Sequence, residues 1–341
     1  RAVIAAIETA LAAMPKLRRA TPGEFTRRAF ANGRIDLAEA EGLADLLSAE
    51  TELQRRSAVA MAGGRFSRQV EQWRERVLAL SAAVEAVLDF ADEDDVATLP
   101  PDFAARLAEL DEDIGGWVAR PRAETLREGF RVVIAGPPNS GKSTLFNALV
   151  ESEAAIATPL PGTTRDVLTK PVGIAGVPFL FVDTAGLRED SSDAIEVIGI
   201  ARARQEAEAA DLVLWLGGEG EGPDGCWEVE AQVDRAGHAM KHNPRHRVSA
   251  VTGEGLDRLR EDLAATALVA LPKPGEAALN ARQHGLLARA ADSVRAAGAL
   301  SDPLLVAENL RVARAAFDDL IGRAATEDML DALFGRFCIG K

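Results

Sequence analysis

A glycine-rich stretch in the middle of the chain limits the possible folds more than any other feature. Residues 136–143 read Gly-Pro-Pro-Asn-Ser-Gly-Lys-Ser, which fits the pattern G-x-x-x-x-G-K-[ST] of a phosphate-binding P-loop. The apolar run 131–135 before it predicts a buried strand, and residues 143–149 after it predict a helix. A strand, this loop and a helix in that order predict an α/β domain with a mostly parallel sheet.

The chemistry of the loop indicates a nucleotide phosphate as its ligand. Glycines let backbone N–H groups turn toward phosphate oxygens, and the helix N-terminus adds positive potential. Lys142 is predicted to reach the outer phosphates, and Ser143 to hold Mg²⁺. The other loop residues predicted to contact the nucleotide are Asn139, Ser140, Gly141 and Thr144. The alternative is a strand-to-helix turn that binds nothing, and the presence of strand, motif and helix together disfavours it.

Two later segments complete the pattern of a nucleoside-triphosphate switch. The threonine-rich segment 158–166 can close over a γ-phosphate, and the hydroxyl of Thr164 can complete the Mg²⁺ shell. A predicted strand at 177–182 leads into Asp183, which can hold Mg²⁺ through water at the strand's carboxyl end. The residues that follow and are predicted to contact the nucleotide are Thr184, Ala185 and Gly186. Three matches in this order predict a G protein.

Composition sets further limits. The chain has 341 residues, enough for two or three domains. Its formal net charge of −14 argues against a generally basic nucleic-acid-binding surface. Two cysteines provide no disulfide framework, which fits a cytoplasmic location. The sequence shows no signal peptide or membrane span, and because it starts with Arg1 inside a helical pattern we expect an N-terminal truncation.

Helical patterns flank the α/β segment on both sides. Apolar residues recur at helical spacing in one continuous pattern over 36–90, and residues 276–341 return to helix after a Pro-Gly linker at 271–275. We therefore expect a G domain at 129–270 inserted into an all-α helical domain. The expected halves of that domain are 32–128 and 271–341, after a remnant of another domain at 1–31.

Four parts of the chain resemble the bacterial tRNA uridine-5-carboxymethylaminomethyl modification GTPases, the MnmE/TrmE family. They are residues 22–30, residues 36–41, the G-domain motifs described above, and the ending Phe-Cys-Ile-Gly-Lys at 337–341. The G motifs occur in other translation-related GTPases, whereas the ending is far more specific. The resemblance covers essentially the whole chain.

The resemblance implies a K⁺-stimulated GTPase that acts in modification of the tRNA wobble uridine. It implies GTP, Mg²⁺ and K⁺ as ligands, tRNA and a flavin-dependent protein as partners, a homodimer, and no membrane. In the family a folate derivative supplies a one-carbon unit, but residues 1–31 resemble only the tail of the folate-binding, dimerisation domain. We therefore expect no complete folate site in this chain.

The resemblance also assigns roles to individual residues. Glu196 matches the catalytic glutamate that orients the attacking water, and Cys338 matches a cysteine needed for tRNA modification. The residues implied as K⁺ ligands are Asn139, Thr158, Leu160 and Thr163, of which Thr158 and Thr163 also belong to the implied nucleotide site.

The guanine-reading segment departs from the usual pattern. A G protein carries Asn-Lys-x-Asp here, whereas this chain has Ala-Gln-Val-Asp at 231–234, so that only Asp234 survives. Ser249 and Ala250 resemble the loop that adds a backbone N–H to the guanine oxygen. The strand 211–216 is followed after about ten residues by the next predicted strand, too few for a helical crossover. We expect a truncated or lost crossover helix and a guanine preference weaker than usual.

Two other functions are compatible with the G motifs. One is a ribosome-assembly GTPase, although that class usually carries an RNA-binding module with a basic face. The other is a helical scaffold whose G domain has become a structural insert. The missing Asn-Lys pair favours the scaffold, and the intact Lys142, Ser143, Thr164, Asp183 and Glu196 argue against it.

Overall fold

The computed structural model describes residues 2–89, 98–151, 168–183, 205–323 and 327–335. The helices are α1 (Ala2–Ala12), α2 (Glu24–Ala31), α3 (Leu37–Ser48), α4 (Glu52–Ala62), α5 (Arg65–Asp89), α6 (Phe103–Val118), α7 (Ala123–Glu128), α8 (Lys142–Glu151), α9 (Leu256–Ala270), α10 (Ala281–Ala299), α11 (Pro303–Ile321) and α12 (Glu327–Phe334). The strands are β1 (Phe130–Ala135), β2 (Leu168–Ile174), β3 (Val177–Asp183), β4 (Leu212–Trp215), β5 (Trp227–Ala231) and β6 (His246–Val248).

The chain divides into two compact units, one helical and one α/β. The helical unit consists of Arg1–Ser48, Ala58–Ala119 and Arg282–Lys341, and the α/β unit of Ala49–Ser57 and Arg120–Ala281. This confirms the predicted fold class, an α/β region inserted into a helical region. The α/β unit extends beyond the expected limits of 129 and 270, because α7 contributes Leu126 to its core and the backbone N–H of Leu53 donates to the oxygen of Gly176 at 3.0 Å.

The continuous helical pattern over residues 36–90 divides into three helices. The side chain and backbone of Thr51 exchange hydrogen bonds with Gln54 (2.9 and 3.3 Å), which caps the start of α4. Gly64 has a φ of 72°, a left-handed conformation that ends α4 before α5 begins. Periodicity alone does not reveal these interruptions, because the apolar spacing continues across them.

The core of the helical unit is built from both of its flanking segments. Trp73 on α5 is fully buried, and its ring stacks on Phe317 of α11 with 5.9 Å between centroids. Trp117 of α6 meets the same indole edge to face at 5.8 Å. The indole nitrogen of Trp73 donates to the carboxylate of Asp113 at 2.9 Å, so no polar group of this ring is left unpaired.

A polar cluster also joins the two segments. Glu41 on α3 is nearly buried, and its carboxylate accepts two hydrogen bonds of 2.8 Å from the guanidinium of Arg282 on α10. The amide of Gln283 donates to the same carboxylate at 2.6 Å. Removing one partner of a buried ion pair leaves the other charge uncompensated.

The change Glu41→Gln is therefore expected to lower the free energy of unfolding of the helical unit by about 2–3 kcal/mol, somewhat less than for a fully buried pair. Urea unfolding followed by tryptophan fluorescence measures it. Glu85→Gln on the exposed side of α5 is the matched control, with an expected change below about 0.5 kcal/mol. Equal stability of the two variants would contradict this account of the cluster.

The sheet of the α/β unit has the strand order β2-β3-β1-β4-β5-β6 within the described residues. Only β2 and β3 pair antiparallel there, which confirms a mostly parallel sheet. Val132, Val133 and Ile134 in the central β1 have no exposed surface, as expected for a strand covered on both faces. The carboxyl ends of the parallel strands meet at one edge, and ligands of open α/β sheets bind at this edge.

Residues 216–226, between β4 and β5, form no helix. Of the two predicted alternatives, a truncated or a lost crossover helix, the structure shows the second. A buried lysine, Lys241, ties the region together, since its Nζ donates to the oxygen of Trp215 at 2.9 Å and pairs with Glu228. The carboxylate of Glu219 accepts from the backbone N–H groups of His242 and Asn243 at 2.6 and 2.9 Å.

None of the helices in the described ranges is both long and apolar enough to cross a membrane.

Candidate nucleotide-binding site

The P-loop lies between β1 and α8, at the carboxyl edge of the sheet. Asn139 and Gly141 both have left-handed backbone, with φ of 62° and 92°. The backbone oxygen of Gly141 accepts from the N–H of Leu145 at 2.9 Å, so α8 is hydrogen-bonded from its first turn. The first N–H groups of a helix have no partner within it, and here they follow directly on the loop. This arrangement suits an anion such as phosphate.

Lys142 and Asp183 place opposite charges beside the loop. Lys142 is only 7 % exposed, and its Nζ donates to the oxygen of Pro137 at 2.7 Å, so that the ammonium lies across the loop. Asp183 is 1 % exposed at the end of β3 and is in register with Ile134 of β1. Ser143 is exposed on the first turn of α8. A serine hydroxyl and a nearby carboxylate are oxygen ligands of the kind that Mg²⁺ prefers.

The hydroxyl of Ser140 is the next feature of the P-loop. Its Oγ is buried and has no hydrogen-bond partner among the described residues. Buried hydroxyls are almost always paired, so an ordered water or a bound ligand would complete the hydrogen bonding of this one. Its position inside the loop makes a phosphate oxygen the simplest partner.

A shallow pocket, partly open to solvent, lies next to the P-loop. Residues lining it include Gly141, Thr144, Gln232, Asp234 and Ala250. It lies between the start of α8 and the ends of β5 and β6, where the predicted guanine-reading residues meet. The pocket is therefore the candidate site for a nucleotide base.

Asp234 is held in this pocket by Ser249. The buried hydroxyl of Ser249 donates to Oδ1 of Asp234 at 2.6 Å and accepts from the backbone N–H of Thr252 at 3.1 Å. The hydrogen bond from Ser249 lowers the pKa of Asp234 below its ordinary value, against a smaller opposing effect of burial. The carboxylate is therefore ionised at neutral pH and can only accept hydrogen bonds, which suits the N1–H and 2-amino group of guanine.

A second polar cluster supports the loop that follows β5. Glu230 is buried, and its carboxylate meets His238 Nε2 at 2.8 Å and Arg247 Nε at 3.1 Å. Burial raises the pKa of Glu230, but these partners outweigh it, so the net pKa is lowered. The hydrogen bond with Glu230 in turn raises the pKa of His238, with a smaller contribution from the backbone oxygen of Arg235. These ion pairs connect the loop to β5 and to β6.

The structure brings ten of the predicted site residues to this edge of the sheet. They are Asn139, Ser140, Gly141, Lys142, Ser143, Thr144, Asp183, Asp234, Ser249 and Ala250. The remaining predicted residues lie outside the described parts of the chain, namely Thr158, Leu160, Thr163, Thr164, Thr184, Ala185, Gly186, Glu196 and Cys338. Gln232 lines the pocket without having been predicted, and its place in the altered Asn-Lys-x-Asp segment was the available signal.

Comparison with known proteins identifies a matching family model and closely similar sequences. The family model for the MnmE helical domain matches residues 37–338. A "tRNA modification GTPase MnmE" of Erythrobacter litoralis is 63 % identical over 341 residues, which is all of this chain and 80 % of the relative. The protein of that name from Novosphingobium aromaticivorans is 62 % identical over 352 aligned positions, again 100 % of this chain and 80 % of the relative.

Among solved structures, the G domain of the T. maritima FeoB iron transporter is 25 % identical and covers 40 % of this chain and 98 % of its own, with a TM-score of 0.28. That score is too low to support any further comparison. The match to the family model and the identity to the two relatives show that the chain belongs to the MnmE family.

Proposed function

We propose that this chain binds and hydrolyses GTP and acts in the modification of tRNA. The observation that carries the proposal is the convergence, at one sheet edge, of the P-loop lysine Lys142 with the Asp234–Ser249 pair. One group suits phosphates and the other suits the hydrogen-bond donors of guanine. Family membership supports the reaction, because the relatives are named tRNA modification GTPases.

In the hydrolysis reaction, each part of the chain has a separate task. The loop N–H groups and Lys142 bind the phosphates, and Glu196 orients the attacking water. Ser143 and Thr164 would hold Mg²⁺, with Asp183 acting through water, and the ion supplies neutralisation of the phosphate charge. Asn139 would hold K⁺ together with Thr158, Leu160 and Thr163, in place of the arginine that other GTPases use.

The modification itself is proposed to take place on the wobble uridine of certain tRNAs. The chain would work as a cytoplasmic homodimer with a flavin-dependent partner to add the 5-carboxymethylaminomethyl group. The folate derivative would bind to the domain of which residues 1–31 resemble only the tail. Cys338 is proposed to serve this step and not GTP hydrolysis, since it lies outside the expected G domain at 129–270. The resemblance of the ending 337–341 to that of the family supports this assignment.

Deletion of the gene that encodes the chain is expected to remove the 5-carboxymethylaminomethyl group from wobble uridine, as measured by mass spectrometry of tRNA nucleosides. A Cys338→Ser gene should leave the defect uncorrected, while the purified variant hydrolyses GTP at the normal rate. Cys226→Ser, at the other cysteine, is the matched control and should restore modification. Normal modification in the deletion strain, with defective ribosome assembly instead, would contradict the proposal.

A further inference from the structure

A histidine connects strand β5 to the turn that follows Asp234. The backbone N–H of Arg235 donates to the oxygen of Gln232 at 2.9 Å, which closes this turn. The side chain of His238 reaches back to it, because its Nδ1 lies 2.9 Å from the backbone oxygen of Arg235. Its Nε2 lies 2.8 Å from Oε1 of Glu230 on β5. The imidazole ring therefore bridges the turn and the sheet.

Both ring nitrogens of His238 face oxygens that accept hydrogen bonds. The backbone oxygen of Arg235 can only accept. The buried Glu230 has the contacts of an ionised carboxylate, since its Oε2 lies 3.1 Å from Nε of Arg247 and accepts from the backbone N–H of Lys241 at 3.4 Å. A neutral imidazole has one N–H and one lone pair, so it would satisfy one acceptor and repel the other. The geometry therefore suits the imidazolium, which carries a proton on each nitrogen.

The charged groups around His238 come from two strands and from its own loop. They are Glu230 of β5, Arg247 of β6 and Asp234. The hydrogen bond with Glu230, and then that with the backbone oxygen of Arg235, raises the pKa of His238 against smaller opposing effects of burial and of Arg247. An ordinary histidine titrates near about pH 6.5, so a raised pKa brings the loss of its proton above that value.

We propose that His238 is a pH-sensitive switch of the nucleotide site. The imidazolium holds the turn at 232–235 to β5, and in this arrangement Asp234 lines the pocket. When the ring loses a proton to solvent, one of the two acceptor oxygens faces a lone pair and its hydrogen bond is lost. The turn is then held less firmly and GDP binds more weakly. The effect on GDP rests on the proposed function, whereas the titration of the ring does not.

The sign of the pH dependence follows from the direction of the shift. A group whose pKa is higher in the folded chain than in the unfolded chain stabilises the fold fully below its unfolded pKa, here about 6.5. This contribution is lost as the pH rises through the raised pKa of the folded chain. GDP affinity should fall by about threefold to tenfold over the same rise, as expected for the loss of one hydrogen bond. Asp234 stays ionised throughout, because its own pKa is lowered.

Two measurements on the full chain test the switch. Nuclear magnetic resonance titration of the histidine ring protons, with His238 assigned from the His238→Gln variant, should give His238 a pKa above about 6.5. Glu230→Gln should lower that pKa, because it removes the negative charge beside the ring.

Isothermal titration calorimetry with GDP at about pH 6 and about pH 8.5 measures the effect on the site. His238→Gln keeps a donor but cannot change charge, so comparison with it cancels the titration of the nucleotide itself. The affinity of the unmodified chain relative to this variant should fall by about threefold to tenfold between the two pH values. His242→Gln, at an exposed histidine of the same loop, is the matched control and should keep the pH dependence of the unmodified chain.

The outcomes distinguish this proposal from the proposed function. A pKa of His238 at or below about 6.5 in the folded chain would overturn the switch, because the ring would then be neutral at physiological pH. A relative GDP affinity that stays within about twofold over the pH range would overturn its effect on the site. If the unmodified chain binds no GDP, the proposed function fails, and the resonance titration alone decides the state of the ring. Urea unfolding midpoints establish that the variants are folded, and His238→Gln decides if Glu230→Gln is not.

Discussion

Replacing Lys142 with alanine is expected to reduce GTP turnover by at least about 100-fold, the usual cost of removing one charged donor from a preorganised phosphate site. The ammonium is nearly buried and already lies across the loop, 2.7 Å from the oxygen of Pro137. It therefore needs little rearrangement to neutralise charge on the outer phosphates. Binding of GDP should weaken as well, because the same charge contacts the β-phosphate.

The rate of phosphate release under saturating GTP measures this effect. Lys170→Ala is the matched control, because Lys170 is an exposed lysine on β2 of the same unit. It should leave turnover within about twofold of the unmodified chain. A Lys142→Ala variant that is folded and retains more than about a tenth of the turnover would show that the phosphates bind elsewhere.

Asp234→Asn is expected to weaken GDP binding by at least about 100-fold. A ligand binds much more weakly when hydrogen-bonding groups in the complex are left without partners. The carboxylate can accept from both guanine donors, whereas the amide places its own N–H group against one of them. Xanthine carries a carbonyl oxygen where guanine has the 2-amino group. The variant should therefore prefer xanthosine diphosphate to GDP.

The pH dependence gives a second test of Asp234. Its pKa in the folded chain is lowered, chiefly by the hydrogen bond from Ser249. The Asp234 carboxylate is therefore ionised at every pH above the ordinary pKa of an aspartic acid. It becomes protonated only as the pH falls through its lowered pKa. Between about pH 6 and 8, the titration of Asp234 should not change GDP affinity.

Competition binding with GDP, ADP and xanthosine diphosphate measures the change in preference. Asp224→Asn, at an exposed aspartate between β4 and β5, is the matched control and should behave as the unmodified chain does. Unchanged preference in Asp234→Asn would show that another group reads the base, and the pocket would lose its assignment to guanine.

The parts of the fold that follow from local sequence were predictable. The apolar run before the P-loop and the motif itself predict β1 and α8, because strand, loop and helix are adjacent in the chain. The loss of a crossover helix before β5 also follows from length alone, since the connecting residues are too few. Asp183 could be placed at the carboxyl end of β3 because it directly follows the apolar run of that strand in the sequence.

Features that depend on tertiary contacts were not predictable. The interruptions of the 36–90 pattern are an exception, because the cap at Thr51 and the left-handed Gly64 are local features that the apolar spacing alone does not show. The membership of residues 49–57 in the α/β unit depends on Leu53 meeting Gly176 from a distant part of the chain. The hydrogen bond from the Gln232 amide to the backbone oxygen of Asn139 accompanies a left-handed backbone that the residue type does not favour. The sequence shows that the Asn-Lys pair is missing, but it does not predict the hydrogen bond between Gln232 and Asn139.

The most direct test of the central claim is the turnover of GTP and ATP by the full chain at constant Mg²⁺, in potassium chloride and in sodium chloride of equal ionic strength. The account predicts that GTP is hydrolysed at least about tenfold faster than ATP, because Asp234 pairs with the guanine edge. It also predicts faster GTP turnover in K⁺ than in Na⁺, with the difference removed by Asn139→Ala. Equal turnover of ATP and GTP, or no turnover of either, would contradict the claim that this pocket is the site of a guanine-nucleotide hydrolase.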